Sequence, residues 1–101
     1  MTKKREANQT VTDLVNRLAA DIAVHGRVVQ IRCCTTIAAQ PWATIHWTFA
    51  DGDHSISTLP PDRSIPAAVH RTRLIHSALE RVFPDIAVTI IPPQLGSKSK
   101  R

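Results

Sequence analysis

The sequence predicts a small α+β domain, a two-layer sandwich in the order α-β-β-β-α-β, with both helices on one face of a mostly antiparallel sheet. Three observations lead there. Residues 10–25 and 66–83 repeat apolar side chains at three- and four-residue steps, the period of a helix face. Residues 27–34, 42–49 and 54–59 are rich in β-branched and aromatic residues and alternate in polarity, the period of a strand. Asp51-Gly52 sits between the last two runs, a strong short-range hairpin signal.

In the first helix Val11, Leu14, Val15, Leu18 and Ile22 form the apolar stripe. Thr10 is the expected N-cap with Asp13 three residues on. Gly26 follows as the residue able to take the left-handed conformation that ends a helix.

The three strands assign a face to each residue. Val29, Ile31, Cys33, Ala43, Ile45, Trp47, Phe49 and Ile56 are expected in the core. Gln30, Arg32, Cys34, Trp42, Thr44, His46, Thr48, Ser55 and Ser57 are expected on a polar face turned to water or a partner. A two-residue turn at Asp51-Gly52 sets Trp47 opposite Ile56 and His46 opposite Ser57. The first hairpin has a longer loop, residues 35–41, with Ile37 at its tip and Trp42 at its base.

Pro60-Pro61 stops the third strand, and Pro66 suits the first turn of the second helix. Leu74, Ile75, Ala78, Leu79 and Val82 form its stripe, and Pro84 ends it. Residues 86–91 read as a last, mostly apolar strand, parallel to the third strand or to the first. Its apolar character on both faces suits an edge that pairs with another copy, so a homodimer is a possible state.

The chain of 101 residues is expected to hold one domain, residues 10–93, between basic disordered tails at 1–9 and 94–101. The tails account for the whole formal charge of +5. Lys3, Lys4 and Arg5 stand against Glu6 at one end, and Lys98, Lys100 and Arg101 stand unopposed at the other. Between them seven arginines balance seven acids, so net charge alone does not make the body a polyanion binder. No apolar run approaches the ~18 residues a membrane span needs. The polar first ten residues read as no secretory leader. The adjacent Cys33 and Cys34 point to opposite faces of a strand and read as reduced thiols, which suits a cytoplasmic location.

Catalytic and cofactor motifs are sparse. The five histidines form no H-E-x-x-H or H-x-x-x-H pair, the cysteines form no zinc-type spacing, and three separated glycines build no phosphate loop. No metal or cofactor is expected. His25 reads as a helix C-terminal residue. His46 has Arg32 on the neighbouring strand and Ser57 across from it, a set compatible with a small His/Arg nuclease.

The α-β-β-β-α portion resembles the double-stranded-RNA-binding domain in the order of its elements. It departs from that family in lacking a glycine- and lysine-rich entry to the second helix, and in adding a further strand.

The sequence therefore points to a non-enzymatic binding protein. The first expectation is contact with nucleic acid through Lys3, Lys4, Arg5, Arg32, Arg71, Arg73, Lys98, Lys100 and Arg101, that is, through the tails, the polar sheet face and the start of the second helix. The alternative is an adaptor or inhibitor that grips a protein partner through Ile37 and Trp42 or through the polar sheet face.

Overall fold

The computed structural model describes the backbone of residues 2–95 and the side chains of residues 8–95. Its elements are α1 (Thr2–His25), β1 (Val28–Ile37), β2 (Trp42–Phe49), β3 (His54–Thr58), α2 (Ile65–Val82), β4 (Ala87–Ile90) and β5 (Gln94–Leu95). The expected α+β sandwich is present. The sheet runs β3-β2-β1-β4, with β5 also pairing β1. β1, β2 and β3 form an antiparallel meander. β4 and β5 run parallel to β1 along its other side, so of the two positions open to the last strand the chain uses the one beside β1.

α1 begins at Thr2, not at Thr10. Residues 2–9 contain no proline or glycine and several good helix formers, so nothing in them halts the helix. The expected basic tail at 1–9 is corrected accordingly: its backbone from Thr2 onward is helical, and Thr10 lies inside α1 and caps nothing. Val11, Leu14 and Leu18 are buried, with Val15 and Ile22 packed beside them. Gly26 ends the helix at φ +89°, its N–H bonded to the Ile22 carbonyl at 2.8 Å. A Cβ there would also lie 3.2 Å from the Ala50 Cβ, so close approach and handedness both call for glycine.

Most of the expected core is in place. Ile31, Cys33, Ala43, Ile45, Trp47 and Phe49 are buried against Ile75, Ala78 and Leu79 of α2 and the α1 stripe. Val29 is an exception. A bulge between Val28 and Gln30 turns Val28 into the core and leaves Val29 39% exposed. Val82, expected in the α2 stripe, is exposed as well.

The β2–β3 register is shifted by one residue from the two-residue-turn expectation. His46 faces Ile56, and Trp47 faces Ser55. Gly52 N–H bonds the Phe49 carbonyl at 2.9 Å and Phe49 N–H bonds the Asp53 carbonyl at 2.8 Å, with Gly52 at φ +90°. These bonds describe a three-residue loop with a glycine bulge. One residue of slip exchanges the faces of a strand. Ile56 is therefore 56% exposed on the open face, and Ser55 and Ser57 turn toward the core side. The shift gives Trp47 what a buried indole needs: its Nε1–H donates to Ser57 Oγ at 2.9 Å.

β1 runs to Ile37, so Ile37 is a strand residue opposite Leu95 and not a loop tip. Gln94 and Leu95, expected in the C-terminal tail, form β5. α2 is capped by Ser64, whose Oγ accepts the Ala67 N–H, and Pro66 sits in its first turn. Among the described residues no helix is long and apolar enough to cross a membrane.

Candidate binding face

Both helices pack on one side of the sheet and leave the other side open. Strand alternation places Gln30, Arg32, Cys34 and Thr36 of β1 on that open face, beside Thr48, His46, Thr44 and Trp42 of β2. β3 adds His54, Ile56 and Thr58, and β4 adds Thr89 next to Arg32. A single row crosses the face: Ile56, His46, Arg32, Thr89. No residue of the five strands is acidic. Arg32 is thus a solvent-exposed cation amid hydroxyls and imidazoles, with no carboxylate on its sheet.

His46 is half-buried in this row. Burial is the main cause that lowers its pKa, and the charges of Arg32 and His54 push the same way. At neutral pH its ring is therefore held uncharged, a hydrogen-bonding group beside a fixed positive charge. An anion on Arg32 reverses part of that cost and draws a proton to His46.

Cys34 and Thr44 face outward yet are buried. Cys34 Sγ lies 3.4 Å from the Thr35 carbonyl and 3.9 Å from that of Pro92. Thr44 and Thr36 share a hydroxyl hydrogen bond of 3.2 Å. Burial raises both thiols, that of Cys33 to about 12. Neither is a thiolate at neutral pH, and both are free. Trp42, half-buried at this end of β2, presents part of an indole to the face.

The other expected site residues are scattered. Arg71 is engaged with Asp62: its Nε donates to both carboxylate oxygens at 3.0 and 3.1 Å, and its terminal nitrogen reaches Oδ1 at 2.9 Å. The Asp62 side chain is only 8% exposed, and its N–H bonds the Pro41 carbonyl at 2.7 Å. Arg71 thus fastens the 60–64 connection to α2 and is not free to hold phosphate. Arg73 is exposed, but on the helical side of the sheet, beside Val69 and the end of β4. Ile37 is half-buried. Lys3, Lys4 and Arg5 lie on the helical backbone of α1, with side chains outside the described residues. Lys98, Lys100 and Arg101 also lie outside the described residues. Ser57, paired with His46 in the nuclease reading, faces the core side with Trp47, so that set is not assembled.

One cluster escaped sequence reasoning. His25 Nδ1 lies 2.8 Å from Asp51 Oδ2 and 3.3 Å from Asp53 Oδ2, which ties the end of α1 to the β2–β3 loop. The hydrogen bond to Asp51 is the main cause that raises the His25 pKa. Asp51 is held down first by the Asp53 N–H at 2.8 Å and then by His25. The three side chains offer donor atoms close enough for a cation, yet they satisfy one another on an exposed loop. No sequence spacing signals this cluster, because Gly26 and the register shift bring the residues together.

Compared with known proteins, the chain matches no protein-family model, no curated relative and no solved structure.

Proposed function

We propose that the protein is a non-enzymatic binding module that holds single-stranded nucleic acid across its open sheet face. One observation carries this reading: Arg32 stands exposed in the middle of a five-strand surface without a single acidic residue. A face of that sign attracts a polyanion. Gln30 and the hydroxyls of Thr48, Thr58 and Thr89 offer hydrogen bonds to phosphate and sugar. Trp42 offers a partial surface for base stacking. The basic ends of the chain, Lys3, Lys4, Arg5, Lys98, Lys100 and Arg101, add counterion-releasing contacts of the same sign.

The start of α2 contributes less in this reading than the sequence suggests, because Arg71 is committed to Asp62. A protein partner gripped through Ile37 and Trp42 has weaker support, since Ile37 is a half-buried strand residue paired with Leu95 and not an exposed loop tip. The test is anisotropy of a labelled twelve-nucleotide oligothymidylate over a salt series. Arg32→Ala is expected to weaken binding and lower the log–log salt slope by about 1. An unchanged slope sinks the reading.

A further inference from the structure

We infer that the free edge of β4, together with the pocket beside Arg73, is a docking site for an extended peptide that carries an apolar residue and, two positions along, an acidic one. The inference is independent of the nucleic-acid reading and concerns the opposite side of the sheet.

β4 ends the sheet. Ile91 N–H donates to the Cys33 carbonyl at 2.9 Å, and Thr89 is the register partner of Arg32. In a parallel ladder alternate residues of a strand bond the same neighbour, so Thr89 and Ile91 face β1 while Val88 and Ile90 turn their N–H and C=O outward. The Val88 carbonyl accepts a hydrogen bond from His76 at 2.9 Å. That contact covers one acceptor of the edge, a common way of blunting an exposed strand. The N–H groups of Val88 and Ile90 and the Ile90 carbonyl still face away from the sheet, with no strand beyond them.

Beside these groups lies a cavity of about 270 Å³. Val69, Ile90, Ile91, Pro92 and Pro93 supply apolar walls, and Arg73 stands at its edge. The volume is under the roughly 300–1,000 Å³ of a typical small-molecule pocket and suits one or two side chains. Among the described residues no carboxylate pairs with Arg73. A strand added at the edge projects every second side chain to the helical side. One such side chain enters the pocket, and the next, two residues along, meets Arg73. Main-chain bonds then provide affinity, and the pocket and the cation provide selectivity.

A second copy answers this chemistry less well. Its own β4, Ala87–Ile90, has no carboxylate within the strand, and the nearest, Asp85, lies two residues before it.

The test uses ¹⁵N-labelled full-length protein and a synthetic peptide, Thr-Val-Thr-Val-Thr-Asp-Thr, blocked at both ends. Saturable shifts centred on the Val88 and Ile90 amides are expected. Arg73→Glu, a surface change, is expected to weaken them about tenfold, as removal of a close charge pair does. Ile90→Pro removes an outward N–H without taking a bond from β1, and proline is tolerated at such edge positions. It is expected to abolish binding while the remaining spectrum is retained. Three results overturn the inference: no shift at Val88 and Ile90, equal binding by the peptide with lysine in place of aspartate, or concentration-dependent shifts of the same amides without peptide. The last result assigns the edge to a second copy.

Discussion

The two faces of the sheet use polar residues in opposite ways. On the covered face they are matched in pairs. The Trp47 indole finds Ser57, and the Thr35 hydroxyl finds Thr72 at 2.9 Å, which in turn donates to the Ala68 carbonyl. On the open face Arg32 has no opposite charge, and His46 is held neutral beside it. A polar group in the core must be satisfied internally or it costs stability. An exposed polar group on the open face, such as Arg32 or Gln30, is free to be satisfied by a ligand, whereas the buried Thr44 there is paired with Thr36. Changes on the first face should therefore read out in folding, and changes on the second in binding.

The largest expected effect lies in the core. Trp47→Ala removes a fully buried indole and should cost about 3–5 kcal/mol in denaturant unfolding. Trp42→Ala, at the rim of the open face, should cost far less stability and instead weaken oligothymidylate. Equal destabilisation by the two changes would erase the distinction between the faces. Next comes Ser57→Ala, which leaves the Trp47 N–H unsatisfied and should cost about 1–3 kcal/mol. A negligible loss, measured the same way, would mean that the shifted register does not depend on this bond.

That register shows where the sequence is legible and where it is not. Alternation alone identifies the open face and sets Arg32 beside His46, because both lie on strands whose pairing is regular there. It misplaces Ile56, because Asp-Gly serves either a two- or a three-residue loop and hydrophobicity favours the wrong one. Burying Ile56 would leave Trp47 without its serine; the partner of the indole agrees with the observed pairing. Val29 is misread for a related reason, since a bulge is invisible to a period of two. The start of α1 is missed because the basic run at residues 2–9 looks like a tail by charge while containing nothing that stops a helix. β5 follows two prolines and is too short to show any period. At the candidate site, the sequence allows Arg71 either to pair with Asp62 or to stand free, and only the fold, which brings Asp62 to it across nine positions of sequence, decides between them.

A smaller effect is proton-linked binding. Bound phosphate favours the charged form of His46, so the complex takes up protons that the free protein does not. Oligothymidylate affinity should rise as pH falls from neutral toward the His46 pKa, which lies below the ordinary 6.5, and His46→Gln should flatten the trend. A flat wild-type profile would separate His46 from the site while leaving Arg32 in it.

The smallest effect concerns the His25 clasp. Its folded pKa lies above the ordinary 6.5, so its contribution is complete below that value and is lost as pH rises through the folded pKa. Asp51 is shifted down from 3.8, so its contribution is present above that value and fades as pH falls through its folded pKa. Melting temperature should therefore decline slightly from weakly acidic to alkaline pH, and His25→Gln should remove that decline. The same slope in both proteins would show that other groups set it.

The most direct test of the central claim is to map amide shifts of ¹⁵N-labelled protein on titration with oligothymidylate. Binding across the open face predicts shifts concentrated at Gln30, Arg32, Thr44, His46, Thr48 and Thr89, with the buried stripe of α2 unmoved. Shifts confined to the helices and chain ends, or none at all, would contradict it.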